Sequence, residues 1–334
     1  MEDFGSYSCL FTSNQQSVEA ICRIDHDSLV ISSDNGTTII NFADLKDFRL
    51  LNYHLFLETS LGQMELSQLG HLTEAFFEKL WKAYMERSKE ALFASESPLY
   101  AGEGDYSFTE QGISQHGIAK VELLYNALCL CPHDRYARRI PLCFAKEPEK
   151  EPFGLTLTLD TGDTYQIRRI GRDTEAVFER ICQLRESVIK KWQQSHKELE
   201  NNLPERLGED LASYNQMKSL GCRMISGLYQ LDDSGFWFAA LKNGKAAVEF
   251  VTEEQTATYL YTYDTSDATF EYALRHAMES VGLHREVIFT GLSDKPLYQM
   301  TVERNYHLEF LRKNNTGRII HNAAWDRNLT DFLG

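Results

Sequence analysis

"TEAFFEKL" at Thr73–Leu80 and "TEAVFERI" at Thr174–Ile181 are nearly the same eight residues written twice. The match runs on in both directions. "LSQLGHLTEAFFEKL" (66–80) aligns with "IRRIGRDTEAVFERI" (167–181) at an offset of 101. "GSYS" (5–8) aligns with "GDYS" (104–107), and "LVIS" (29–32) with "LCLC" (128–131), both at 99. Ile40 and Phe42 correspond to Ile140 and Leu142 at 100. Two short loop gaps account for so small a drift. A unit of about ninety residues, spanning about 5–92 and 104–192, is therefore read as duplicated.

Each copy has the same internal order. Short apolar or alternating runs come first, at 18–24, 28–32, 37–42, 54–59 and 63–67. Turn signals such as "DNG" (34–36) and "LG" (61–62) separate them. "IAKVEL", "ALCLC", "RRIPLCF", "FGLTLTL" and "TYQIRRI" stand in the same places of the second copy. A long helix closes each copy. Thr73 and Thr174 are expected to cap its first N–H groups, with Glu74 and Glu175 favourable in the first turn. Phe77, Leu80, Trp81 and Tyr84 follow at helical spacing in one copy, and Phe178, Ile181, Leu184, Val188 and Trp192 in the other. That stripe is expected to lie on the copy's own sheet, with Phe77 and Phe178 inside.

Many antiparallel strands followed by one helix resemble the pleckstrin-homology (PH) fold, and in particular the PH-like domains that occur in tandem in bacterial proteins. The resemblance covers both copies, about 190 residues. It rests on element order and on the helix start G-x-x-T-E-A-x-F-E (70–78 and 171–179). It implies a partly open barrel of about seven strands, closed at one end by the helix and working as a binding platform. The expected fold class is α+β: tandem PH-like antiparallel β-barrels, each capped by a C-terminal α-helix, plus a C-terminal α+β domain.

The expected boundaries are 1–94 and 95–196 for the two PH-like domains, 197–221 for a helical, solvated connector broken near Pro204, and 222–334 for the third domain. In that last region "SGFWFAALKNGKAAVEFV" reads as a hairpin turning at Asn243-Gly244, and "TATYLYTY" (256–263) as a strand. "SDATFEYALRHAMESVG" (266–282) repeats the helix-start pattern. An apolar run at 286–290, a helix around 303–313 and a "NNTG" stop (314–317) follow. The region reads either as a degenerate third copy with a C-terminal extension or as a separate α+β domain.

The 334 residues are 43% hydrophobic and 25% charged, an ordinary globular balance, with net charge -15. Such acidity repels nucleic-acid phosphates and anionic lipid headgroups, so neither nucleic-acid binding nor stable membrane insertion is expected. Residues 1–94 carry 7 basic against 14 acidic side chains, and 95–196 carry 13 against 15. The seven cysteines are odd in number and irregular in spacing, which suits reduced thiols. The opening "MEDFGSYSCL" has neither the basic nor the apolar region of a secretory signal. A cytoplasmic location is the expectation, with the sequons at Asn35, Asn314 and Asn328 incidental.

Two sets of side chains are candidate sites. In "LCLCPHD", Cys129, Cys131 and His133 alternate along one strand near Cys143, a ligand set that suits zinc. The matched residues in the first copy are Val30, Ser32 and Asp34, so the cysteines read as small apolar fillers, and no metal or cofactor is expected. The second set is Arg135, Arg138 and Arg139 with Arg168, Arg169 and Arg172. If the two groups converge they form a site for phosphate or a carboxylate-rich partner, and the PH-like resemblance implies a lipid headgroup as a further ligand. If they do not, they are solvated arginines paired with "EPEKE" (147–151). Histidines 276, 284, 307 and 321 lack ligand spacing, and no catalytic motif is present. An enzyme reading rests on His321, Arg318 and Asp326 gathering in one C-terminal pocket. The first expectation is a non-enzymatic scaffold that binds a protein or peptide through sheet edges and the groove beside each helix.

Overall fold

The computed structural model describes residues 5–208, 211–228, 235–252, 256–281, 284, 286–289, 291–319 and 325–334. They fall into two compact units. The first holds the chain up to Ile140 with Lys146–Ile181 and Ser293–Arg304. The second holds Pro141–Ala145, Cys182–Leu292 and Asn305–Gly334.

Both copies lie largely in the first unit. The first copy forms β1 (Ser6–Ser13), β2 (Gln16–Ile24), β3 (Ser28–Ser33), β4 (Gly36–Asn41), β5 (Leu45–Leu51), β6 (His54–Thr59) and β7 (Gly62–Ser67), followed by α1 (Thr73–Ala91). The second forms β8 (Tyr100–Glu110), β9 (Ile113–Leu123), β10 (Ala127–Pro132), β11 (Arg138–Pro141), β12 (Glu149–Glu151), β13 (Gly154–Thr158) and β14 (Thr164–Arg168), followed by α2 (Thr174–Leu207). The sheet orders are β4-β3-β2-β1-β7-β6-β5 and β11-β10-β9-β8-β14-β13-β12, the same permutation twice. Each is a curled antiparallel half-barrel.

Alternation fills the interior. Tyr7, Cys9 and Phe11 of β1 point inward, as do Leu55 and Leu57 of β6. Phe76, Leu80 and Tyr84 of α1 belong to the same core. Each fully buried side chain of this size contributes about 1.5–3 kcal/mol. Of the expected stripe, Leu80, Trp81, Tyr84, Ile181, Leu184 and Val188 are buried, and at the start of each helix the residue before the expected phenylalanine takes the inward place. Phe76 and Val177 are buried, and Phe77 and Phe178 are only half-buried. Phe76, Leu80 and Tyr84 recur at i+4, and Phe77 lies about 100° round the helix from Phe76, on the margin of that face.

The threonines do not cap. Each helix is preceded by a single 3-10 turn, 70–72 or 171–173, so Thr73 and Thr174 are already helical. Their hydroxyls donate backwards, to the carbonyls of Gly70 (2.8 Å) and Gly171 (2.9 Å). Both glycines have positive φ, 64° and 77°. The repeated G-x-x-T thus encodes a left-handed glycine and a threonine that ties the turn.

Nor is 197–221 merely a solvated linker. α2 continues through Pro204, and Leu199, Leu203 and Leu207 are buried with Met217 of α3 (Leu211–Ser219). Three buried leucines at about 1.5–3 kcal/mol each outweigh the ~3 kcal/mol of an interior proline.

In the second unit β15 (Arg223–Leu228), β16 (Gly235–Lys242), β17 (Lys245–Thr252), β18 (Thr256–Thr262) and β19 (Asn315–Ile319) form one five-stranded meander. Lys242 pairs with Lys245 around Asn243-Gly244, whose φ values of 51° and 74° make the expected hairpin turn. α4 (Asp267–Val281), α5 (Glu286–Phe289) and α7 (Tyr306–Asn314) lie between β18 and β19 in the chain, and α8 (Trp325–Leu333) follows. Among the described residues four strands of this sheet precede α4, and the fifth comes from beyond α7. "NNTG" stops α7 but opens β19 rather than a loop. α6 (Lys295–Arg304) belongs to the first unit. There Arg304 donates to the Tyr84 hydroxyl at 2.7 Å, and Arg87 is paired with Asp294.

Candidate functional site

The site begins at an unfinished sheet edge. β5 ends the first sheet, and the segment after β10 completes only part of its edge. The Phe48 amide donates to the His133 carbonyl (3.2 Å), and the Arg135 amide to the Lys46 carbonyl (3.0 Å), around an antiparallel bridge from Asp47 to Asp134. By the same alternation Leu50 turns its N–H and C=O outward. Beyond His133 the second copy leaves β5, and the Trp81 indole N–H donates to the Cys131 carbonyl at 3.1 Å. A wedge opens between β5 and the second copy.

That wedge is a groove of about 920 Å³ within the first unit. Phe77 and Trp81 of α1 line it with Leu50, Leu51 and Phe56, and Ile118 of β9 is opposite. Leu51, Phe56 and Ile118 are 60%, 38% and 47% exposed, an unusual concentration of open apolar surface. Glu74, Glu78 and Glu103 give the lining an acidic margin, against Arg49 and His133. Lys120 reaches both Glu78 (3.3 Å) and Glu103 (2.7 Å), with its ammonium 4.3 Å from the Trp81 ring centroid. Burial opposes its charge, yet the two carboxylates hold its pKa above the ordinary value. His133 stands at the apex. Its ring packs edge-on against Phe48 and Trp81, each at 5.7 Å, and its Nδ1 is 3.0 Å from Asp47.

The cysteines do another job. Cys129 and Cys131 are fully buried with Leu92, Ala94, Leu124 and Ala137, where the end of the first copy meets the second. Burial pushes the Cys129 thiol up to about 12 and Cys131 well above its ordinary value, as for thiols packed in an apolar core. Cys143 lies in the 3-10 turn 142–144 of the second unit. Among the described residues no group of three or more His, Cys, Asp or Glu is arranged to hold a metal.

The arginines lie on β11, on β14 and in the turns beside them, and the partners of three of them lie on β8 and β12. Arg138 pairs with Glu110 at 2.8 Å, both nearly buried, and Glu110 also accepts from the Tyr165 hydroxyl at 2.7 Å. Arg168 pairs with Glu151 (2.7 Å), and Arg169 with Asp105. Glu110 and Asp105 are five residues apart on one strand, about 17 Å. Arg168 and Arg169 are brought together; Arg138 is not with them. Arg135 lies over the Tyr136 ring, Arg139 neighbours Arg138 on β11, and Arg172 is exposed in the 3-10 turn.

His276 and His307 are buried with ring centroids 4.3 Å apart and planes tilted by 32°, and Phe144 packs on His276 and Tyr306 on His307. Burial, then the neighbouring His276, depresses the His307 pKa well below its usual value. His284 is exposed. His321 lies outside the described residues, as do the side chains of Arg318 and Asp326.

The groove residues Leu50, Leu51, Phe56, Glu103 and Ile118 were not among the sequence candidates. Their signal was three consecutive apolar residues, Leu55-Phe56-Leu57, in a strand where alternation would put a polar residue at 56.

No protein-family model matches the chain, and no curated protein matches it. Among solved structures, the crystal structure of the C-terminal domain of an unknown protein from Leishmania infantum is similar at 13% identity over 25% of this chain and 84% of that one. Its TM-score of 0.23 is too low to carry any argument.

Proposed function

We propose that the two half-barrels are PH-like domains, and that the chain is a scaffold that binds a protein or peptide partner in the groove beside α1. The strand permutation and the helix after the seventh strand support the PH-like reading. The binding reading is carried by one observation: an open apolar groove of about 920 Å³ next to the unpaired end of strand β5. An edge with outward N–H and C=O groups accepts an extended segment, and adjacent apolar pockets select its side chains. Against the anion-site alternative, three of the six arginines, Arg138, Arg168 and Arg169, already face Glu110, Glu151 and Asp105. The test is affinity capture on the full chain and on a Leu51→Glu, Phe56→Glu variant. Both side chains are exposed, so the variant is expected to fold, yet it charges the groove. Partners retained by the natural chain and lost by the variant are expected; identical captured sets would contradict the reading.

A further inference from the structure

We propose that the groove takes an extended, lysine-bearing peptide segment of a partner protein. This rests on the groove reading above and adds the chemistry of the occupant. The inference comes from a difference between the two copies. Leu50 and Lys150 hold the same hairpin position, since Leu50 pairs with Leu55 across β5–β6 and Lys150 with Leu155 across β12–β13. In the aligned helices, Glu175 and Phe178 correspond to Glu74 and Phe77. In the second copy the Lys150 ammonium is 2.5 Å from Glu175 and 5.8 Å from the Phe178 ring centroid. The lysine spans from β12 to α2 and serves the carboxylate and the ring together. In the first copy Leu50 brings no charge, and Phe77 and Glu74 face the groove. One chain thus shows which group this carboxylate and ring hold, and lacks it in the copy whose groove is open.

The rest of the groove agrees. Glu74 and Glu78 are a like-charge pair at i,i+4. Lys120 already reaches Glu78 and Glu103, so Glu74 is the carboxylate of the lining that has no ion pair among the described residues. Leu51, Phe56 and Trp81 offer apolar surface beside that acidic margin, and the outward backbone of Leu50 suits an extended chain. The occupant therefore carries a lysine flanked by apolar residues.

Random decapeptides displayed on phage, panned on the full chain and then synthesised, test this. Binders are expected to contain lysine beside apolar residues, and lysine→norleucine in the peptide is expected to weaken binding about tenfold. Glu74→Gln should weaken the lysine peptide but not its norleucine form. Leu50→Lys installs the second copy's residue and should abolish binding while leaving the thermal unfolding midpoint nearly unchanged. If that variant unfolds, Glu74→Gln combined with Glu78→Gln carries the comparison. Binders lost on Leu50→Lys but indifferent to norleucine overturn the lysine assignment and leave the groove reading standing. No binders, or binders insensitive to every groove variant, overturn both. A dimer of the full chain that Leu50→Lys converts to monomer makes a second copy the occupant and overturns the partner assignment.

Discussion

Phe76 and Phe77 are adjacent and have different roles. Phe76 is fully buried, edge-on to Tyr7 at 4.9 Å, and Phe77 is half-buried beside Phe48 and Trp81 on the groove. Phe76→Ala should cost about 3–5 kcal/mol, because it leaves a cavity that the half-barrel cannot collapse. Phe77→Ala should cost markedly less and should weaken partner binding instead; urea unfolding of both variants checks the contrast. The sequence pattern locates the stripe, with Leu80, Trp81 and Tyr84 buried as expected, but misses its first inward residue by one. A helix with apolar residues at both 76 and 77 fits two faces 100° apart, and only the sheet decides between them. The threonines were misassigned for a similar reason. A threonine before an apolar run suits a cap, and only the preceding left-handed glycine shows that the turn has already begun.

At the scale of elements, duplication was legible because both copies keep the same order of strands, turns and helix. β1 and β5 were not among the expected runs. β5, Leu45–Leu51, carries Lys46, Asp47 and Arg49 on its open side and reads as polar, although Leu45 and Phe48 are buried. The five-stranded sheet was half legible. The turn at Asn243-Gly244 declares its hairpin, but β19 is paired with β18 across more than fifty residues, and no local pattern reports such a partner. Helix α2 makes a pH-dependent element. His196 lies against Trp192 at 4.2 Å with the Arg275 guanidinium 3.4 Å away, and burial followed by that charge lowers its pKa to about 4. The depressed His307 acts in the same sense. Between the unfolded value of about 6.5 and the folded value, the unfolded chain binds more protons, so stability falls as pH falls. The thermal midpoint should drop from pH 7 to pH 5, and His196→Gln should flatten part of that slope. A midpoint that does not change over this range, or an equal slope in the variant, would contradict the assignment.

The whole molecule combines two like half-barrels in one compact unit with a five-stranded α+β unit. Their likeness matters less for function than their differences at the groove, where Leu50, Leu51, Phe56 and Trp81 of the first copy correspond to Lys150, Glu151, Thr156 and Cys182 of the second. The first copy carries a net excess of acidic residues, 14 against 7, and the second is close to balanced. Against that background Lys150 pairs with Glu175 in the second copy, whereas Leu50 brings no charge to Glu74 in the first. The groove was not legible in the sequence because its lining comes from β5, β6, α1, β8 and β9 and from His133, which is 84 positions (133 minus 49) beyond Arg49, and these meet only after both copies have folded. Hydrogen–deuterium exchange of the full chain, with and without a selected lysine-bearing peptide, tests the central claim most directly. Slowed exchange is expected at residues 49–51, where the β5 edge gains a strand, and along residues 74–81. Protection confined to 150–178, or to the five-stranded sheet, would contradict it.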